Sequence, residues 1–313
     1  MNILISGGTG FIGKKLRNNA IRKGHMIRLI SREDYGNKEL LLEKIQWATV
    51  VVNLAGAPIS KRWTESYKKE IYHSRIDSTK AIIESIKEAQ KKPKLFISVS
   101  AIGIYASSKI QSEDDSQIGS DFLAQVCSDW EKVALRASDD TRVVVYRLGV
   151  VLGKHGGIIK NLTSLFKLGL GASLGSGQQM MSWVHVDDVV NAFFYAIKNK
   201  SLSGVYNLVA PTPVSNNEFT SAFAKALHRV AFLRIPTFAV KILKGEQASL
   251  ILDEKYIIPK RLLEADFNFR NDTIQTAFKQ IFRKKAKVIT LQHQEKKVEP
   301  EAIEPSIEIQ SQK

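Results

Sequence analysis

Residues 3–13 read Ile-Leu-Ile-Ser-Gly-Gly-Thr-Gly-Phe-Ile-Gly, and no other stretch restricts the fold as tightly. A short apolar run ends in glycines at 7, 10 and 13, and a helix-like pattern follows. That is the sequence of a strand, a tight turn and a helix N-terminus. Gly7 can take the positive φ of the turn, and Gly10 lets the backbone approach a pyrophosphate. Gly13 lets the helix pack on the strand, so that the helix dipole and its free N–H groups face the phosphate. A lone glycine triplet is weak evidence. Here it follows an apolar run and precedes Lys14-Lys15-Leu16, which is the context a dinucleotide site requires. Thr9, Phe11 and Ile12 complete the loop. The plain alternative is a glycine-rich turn without a ligand.

Strand-like and helix-like stretches alternate after it. Strands are expected at 3–5, 26–30, 50–54, 95–99 and 143–148, and helices at 11–23, 65–90 and 122–137. Buried, β-branched runs separated by helices imply an α/β fold with a doubly wound parallel sheet. Beyond residue 150 the texture changes. Seven glycines, at 153, 156, 157, 169, 171, 175 and 177, suit loops over a cleft at 153–180. Residues 182–188 and 205–209 read as returns to the sheet. The expected organisation is a nucleotide-binding domain over 1–210, a smaller, mostly helical C-terminal lobe over 211–282 and a disordered tail over 283–313.

The chain has 313 residues and 44% hydrophobic content, enough for a full core. Its single cysteine, Cys127, excludes an internal disulfide and a cysteine zinc cluster. No run approaches the ~18 apolar residues of a membrane span, and a strand at the N-terminus leaves no room for a signal peptide. The expectation is a cytoplasmic protein with no membrane partner. The net charge of +15 admits nucleic acid, but the basic residues are dispersed and lack interleaved aromatics. A basic surface that favours an anionic ligand is the simpler reading, and nucleic acid is not an expected partner.

Past the second strand come Ser31 and Arg32, where the adenosine ribose would lie. An arginine there neutralises a 2′-phosphate, whereas a carboxylate accepts from a 2′-hydroxyl. Arg32 therefore favours NADP. Glu33, about 20 residues past the motif, is the competing signal for NAD. A surface pair between Arg32 and Asp34 is the alternative role for the arginine. The third strand ends in Asn53-Leu54-Ala55-Gly56-Ala57, whose small residues can form a second wall of the same cleft.

The pattern resembles the extended short-chain dehydrogenase/reductases, the NAD(P)-dependent epimerase/dehydratase superfamily. The residues that carry the resemblance are the loop 7–13, Asn53-Leu54-Ala55-Gly56, Ser98-Val99-Ser100 and Trp183-Val184-His185-Val186-Asp187-Asp188. Lys61-Arg62-Trp63-Thr64, Ser74-Arg75-Ile76-Asp77, Trp130-Glu131, Gly175-Ser176-Gly177-Gln178-Gln179 and Gly245-Glu246 resemble its atypical SDR39U1-type group of epimerase family proteins, which carries an extra C-terminal domain. The resemblance covers residues 1 to 282. It implies NADP contacts from Ser31, Arg32, Leu54, Ala55, Glu70, Arg75 and Val151 as well as the glycine loop and Gly56. Ser98 and Arg147 are further cofactor candidates. Arg75 would act as a second cation for a phosphate, or pair with Glu70 or Asp77 on the helix surface.

These reductases normally use a tyrosine and a lysine four residues later on one helix. Tyr105-Ala-Ser-Ser-Lys109 has that spelling but lies in the loop directly after the fourth strand, where the two residues share no helix face. On the helix where the family carries the pair, Cys127 takes the tyrosine position and Glu131 the lysine position, as in the SDR39U1-type group. Three readings stay open. Ser100 and Tyr105 act as a displaced acid/base pair with Lys109, Cys127 is a catalytic thiol, or the site binds cofactor without redox turnover. Asp187 is expected to cap the helix 189–197, and His185 has no assigned role. The implied activity is that of an oxidoreductase or epimerase on an unknown small polar substrate. The alternative is a regulatory or scaffold protein that meets a protein partner through the C-terminal lobe or tail.

Overall fold

The computed structural model describes residues 1–106, 110–115 and 117–283; Lys109 and the tail beyond 283 lie outside the described residues. Residues 1–282 cluster as one unit. At its centre is a six-stranded sheet of β1 (Asn2–Ser6), β2 (Met26–Ile30), β3 (Val50–Asn53), β4 (Leu95–Ala101), β5 (Arg142–Leu148) and β6 (Gly204–Leu208). The spatial order is β6-β5-β4-β3-β1-β2, and every pairing is parallel. β3 and β4 are buried on both faces over Val50–Val52 and Leu95–Ile97, which is why both read as continuous apolar runs.

Helices α1 (Phe11–Arg22), α2 (Lys38–Trp47), α3 (Glu65–Glu88), α4 (Phe122–Leu135) and α5 (Val186–Lys198) flank the sheet. α1 packs against α5, while α3 lies between α2 and α4. No element was expected over 38–47; Asn37 starts that helix by accepting from Leu40 N–H at 3.0 Å. The order of strands reverses between β1 and β3. In a parallel open sheet, that reversal opens a crevice at the carboxyl ends of the strands.

Two expectations need correction. Residues 182–188 do not return to the central sheet: Trp183–His185 pairs in parallel with Val150–Leu152 in a separate two-stranded ladder. Only Gly204–Leu208 joins the main sheet, beside β5. The region read as cleft loops also contains a helix, Gly157–Lys167, which buries Ile159 and Phe166. Its apolar positions recur at helical spacing, but the flanking glycines obscure the period. Beyond residue 213, helices at Asn216–Ala226, Thr237–Lys244 and Ile274–Phe282 alternate with two- and three-residue strands. Phe219, Phe223 and Phe278 form a second core there with Trp183 and Ile159.

Candidate functional site

The glycine loop leads from β1 into α1. Gly7 has φ +71°, and a Cβ there would lie 2.6 Å from the carbonyl carbon of Leu54. The first turn thus abuts the end of β3, and Leu54-Ala55-Gly56 does form a wall beside the loop. A Cβ on Gly13 would drive into the Gly7 carbonyl oxygen and Gly8, so helix and strand touch there. Gly10 is the N-cap of α1 with extended backbone, and no side chain caps the helix. Thr9 and Gly10 are exposed, whereas Ile12 is partly buried against the main core. The first N–H groups of α1 therefore point out of the loop without a side-chain acceptor, as an anion site needs.

Phe11 has a different job from its neighbours. Its ring fills the space where Gly153 and Gly156 lack side chains; a Cβ on Gly153 would meet it at 2.7 Å. The dinucleotide loop and the 153–157 turn are thus packed on each other. Val151, in the adjoining ladder, pairs with Val184, and its carbonyl lies beside Gly157.

At the end of β2, Asp34 does not pair with Arg32. Its carboxylate accepts from Ser31 N–H and from Lys44 Nζ, both at 2.6 Å. Burial opposes its charge, but these donors outweigh it and hold the carboxyl below its ordinary value. Ser31, Arg32 and Glu33 are exposed, and Arg32 has no ion-pair partner among the described residues. Glu70 is likewise exposed on α3. Arg75 donates only to carbonyls, Ile71 O at 3.0 Å and Ala57 O at 3.1 Å. Its guanidinium lies over the Trp130 ring and directly behind Gly56. Asp77, the surface partner considered for it, bonds His73 instead. Burial without a carboxylate pulls the Arg75 guanidinium down from its ordinary value.

At the end of β5, Arg147 joins Glu131, Tyr105 and Asn207 in a buried polar network, and the serines of β4 stand outside it. Ser98 and Ser100 are buried, and neither hydroxyl has a hydrogen-bond partner. Ser100 faces the Cys127 thiol without full hydrogen-bond geometry. Cys127 and Glu131 share one face of α4, as their spacing requires, and both are buried. Glu131 takes a bidentate pair from Arg147, with Nε to Oε1 at 2.9 Å and Nη2 to Oε2 at 2.8 Å. Burial works against the Arg147 charge, but Glu131 more than offsets it and raises the guanidinium further. Arg147 Nη1 also donates to the Tyr105 hydroxyl at 2.7 Å, and that hydroxyl donates to Asn207 Oδ1 at 2.8 Å. Tyr105 is 1% exposed and burial pushes its hydroxyl up. Burial and the Glu131 charge push the Cys127 thiol up to about 11, which keeps it protonated at neutral pH.

Residues 247–258 also reach this end of the fold. Lys255 Nζ donates to the Tyr105 carbonyl, and burial lowers its pKa. Asn207 Nδ2 donates to Ile258 O at 3.0 Å, and Asn207 N–H to the buried carboxyl of Glu113 at 2.7 Å. Gln247 donates to the carbonyls of Ile59 and Lys61, so the segment also touches the loop after β3.

A model of the NAD dependent epimerase/dehydratase family matches residues 3–208. The chain belongs to that family. A domain of unknown function, DUF1731, matches residues 235–281. An Arabidopsis thaliana protein, the chloroplastic SDR39U1 homologue of the epimerase family, is 37% identical over 90% of this chain and 87% of its own length. A Staphylococcus aureus epimerase family protein is 32% identical over 90% of this chain and 99% of its own. The crystal structure of human epimerase family protein SDR39U1 (isoform 2) with NADPH matches 90% of this chain and 99% of its own, at 34% identity and TM-score 0.85. UDP-N-acetylglucosamine 4-epimerase from Bacillus cereus, at 17% identity and TM-score 0.73, shares the fold. The chain is therefore an epimerase/dehydratase family member of the SDR39U1 type.

In this family member His185, not Asp187, caps α5. Its Nδ1 accepts from Asp187 N–H at 3.1 Å, and the helix starts at Val186. Burial lowers the His185 pKa, which keeps the acceptor nitrogen free. Asp187 pairs with Lys15 on α1 at 2.7 Å. Asp188 is fully buried and accepts from the backbone of Arg270 and Asn271 and from Asn271 Nδ2. Reading the sequence missed Asn207, Glu113 and Lys255, and gave Asp188 no role of its own. A lone amide in the apolar run Val205-Tyr206-Asn207-Leu208 was the available signal for Asn207. Lys255 carries no local signal, because its contact with Tyr105 spans the whole fold.

Proposed function

We propose that this family member binds NADP and acts as an oxidoreductase or epimerase on a small polar substrate. The observation that carries the reading is the uncapped N-terminus of α1 behind a glycine cradle too tight for a Cβ, with Arg32 exposed and free of its acidic neighbour. The residues fit a dinucleotide. Gly7, Thr9, Gly10, Phe11, Ile12 and Gly13 would cradle the pyrophosphate. Ser31 and Arg32 would take the 2′-phosphate, since Arg32 is exposed without an ion-pair partner among the described residues and Asp34 is held by Lys44 instead. Leu54, Ala55 and Gly56 would flank the nucleotide, with Arg75 as a second cation behind them. Glu70, Ser98 and Val151 complete the proposed shell. The NADPH in the human SDR39U1 structure supports the same choice of cofactor.

Bound NADP supplies hydride chemistry. The chain supplies positioning. Ser100 is the catalytic candidate with hydrogen-bonding capacity to spare, because its buried hydroxyl has no partner. Tyr105, the other candidate, has both roles of its hydroxyl satisfied by Asn207 and Arg147. Arg147 thus serves as a positioning residue for Tyr105, with Glu131 holding the arginine in place.

A second reading, cofactor binding without turnover, is favoured by one observation: the helix that bears the family's acid/base pair carries a protonated thiol and an ion-paired carboxylate. Fluorescence titration with NADPH and NADH, in wild type and Arg32→Glu, tests the shared premise. Tighter binding of NADPH than NADH is expected, and Arg32→Glu should lower NADPH affinity by at least about tenfold. Equal binding of both would remove the NADP assignment. Reduction of a carbonyl substrate that survives Ser100→Ala unchanged would remove Ser100 from the chemistry.

A further inference from the structure

Two stretches of this chain contain no aspartate or glutamate: residues 141–186 and residues 219–245. The fold brings their ends together. Ala172–Leu174 pairs in parallel with Leu233–Ile235, and Arg229 Nε donates to the Lys167 carbonyl at 3.0 Å. Large apolar side chains project from the joined surface. Leu168, Val230 and Phe232 are exposed, Phe232 at 79%. The helix Thr237–Lys244 follows directly after Pro236. It buries Val240 but turns Phe238, Ile242 and Leu243 outward, Ile242 at 78%. Lys167, Arg229, Arg234 and Lys241 stand among them, exposed and without an ion pair among the described residues.

Soluble monomers seldom expose this many large apolar side chains on neighbouring segments without a partner. A second copy is a poor match, because it would press the unpaired cations Lys167, Arg229, Arg234 and Lys241 against their own counterparts. Nucleic acid would leave the projecting phenylalanine and leucine side chains unused. A helical peptide needs a groove, whereas these side chains project outward.

We propose that this face docks on an anionic lipid bilayer. Its aromatic and aliphatic side chains would enter the boundary between headgroups and acyl chains, and the surrounding cations would meet lipid phosphates. The charge complementarity carries the choice: exposed apolar side chains beside four cations that have no ion pair among the described residues are what a negatively charged interface selects. The chain would lie on the membrane, which is compatible with the finding that no described helix is long and apolar enough to cross one. The inference is independent of the cofactor reading.

Sedimentation of the full-length protein with vesicles tests it, using phosphatidylcholine alone or mixed with phosphatidylglycerol. Affinity for the mixed vesicles should be at least about tenfold higher and should fall with added salt. The variants Phe232→Ser with Ile242→Ser, and Arg234→Glu with Lys241→Glu, should each lose about tenfold. An unchanged NADPH titration, or unchanged circular dichroism where NADPH does not bind, shows that the variants fold. Absence of sedimentation, equal binding to neutral vesicles or capture of an acidic amphipathic peptide in place of vesicles would overturn the proposal. So would a lipid-free dimer that Phe232→Ser with Ile242→Ser abolishes.

Discussion

Arg147 shows how much one side chain can hold at the end of a strand. It neutralises Glu131, which is buried with it, and orients Tyr105. Arg147→Met would leave a buried carboxylate without a counter-ion, and a loss of about 3–5 kcal/mol in urea unfolding is expected. Tyr105→Phe is milder: it strands Asn207 Oδ1 and one arginine N–H, for about 1–3 kcal/mol. If Tyr105 only supports the site, NADPH affinity will be unchanged in that variant. Cys127 gives a pH-dependent test. Its folded pKa lies above the unfolded value, so its contribution is intact below about pH 9 and is lost as pH rises toward about 11. The unfolding midpoint of wild type should fall across that window more than that of Cys127→Ala, and native Cys127 should resist thiol reagents at neutral pH. Gly7 and Gly13 were legible in the sequence because a positive φ at the first and a close approach at the second leave few other residues possible there. The Arg147 pair with Glu131 was not legible, because the two lie on different elements and only packing joins them.

At the scale of elements, the glycine loop couples three pieces: β1, α1 and the end of β3. Gly13→Ala should separate helix from strand, with reduced NADPH affinity and a lower thermal midpoint, since the added methyl has no free space. Leu4, buried in the middle of β1, belongs to the same unit; Leu4→Ala should cost about 2–5 kcal/mol. Strands buried on both sides were easy to find because their apolar runs are unbroken. The helix 157–167 and the short ladders of the C-terminal part were not. A three-residue strand such as Trp183–His185 is defined by its partner rather than by any period of its own.

At the largest scale, a few long-range carboxylates and amides tie the C-terminal part to the central sheet and its helices. Asp188, on α5, gathers three N–H donors from Arg270 and Asn271. Asp188→Ala should free the residues around 266–282, seen as faster proteolysis there with the central sheet still protected from hydrogen exchange. The Tyr105 network has a comparable reach. Its hydroxyl finds an acceptor 102 residues further along the chain, and its carbonyl a lysine donor 150 residues further. Synthesis runs at about 5–20 residues per second, so on the order of 10 s separates the emergence of Tyr105 from that of Lys255. The cradle formed by the first strands can assemble long before its neighbour. On the ribosome, the nucleotide-binding strands therefore emerge while the adjoining polar network still lacks its last donors.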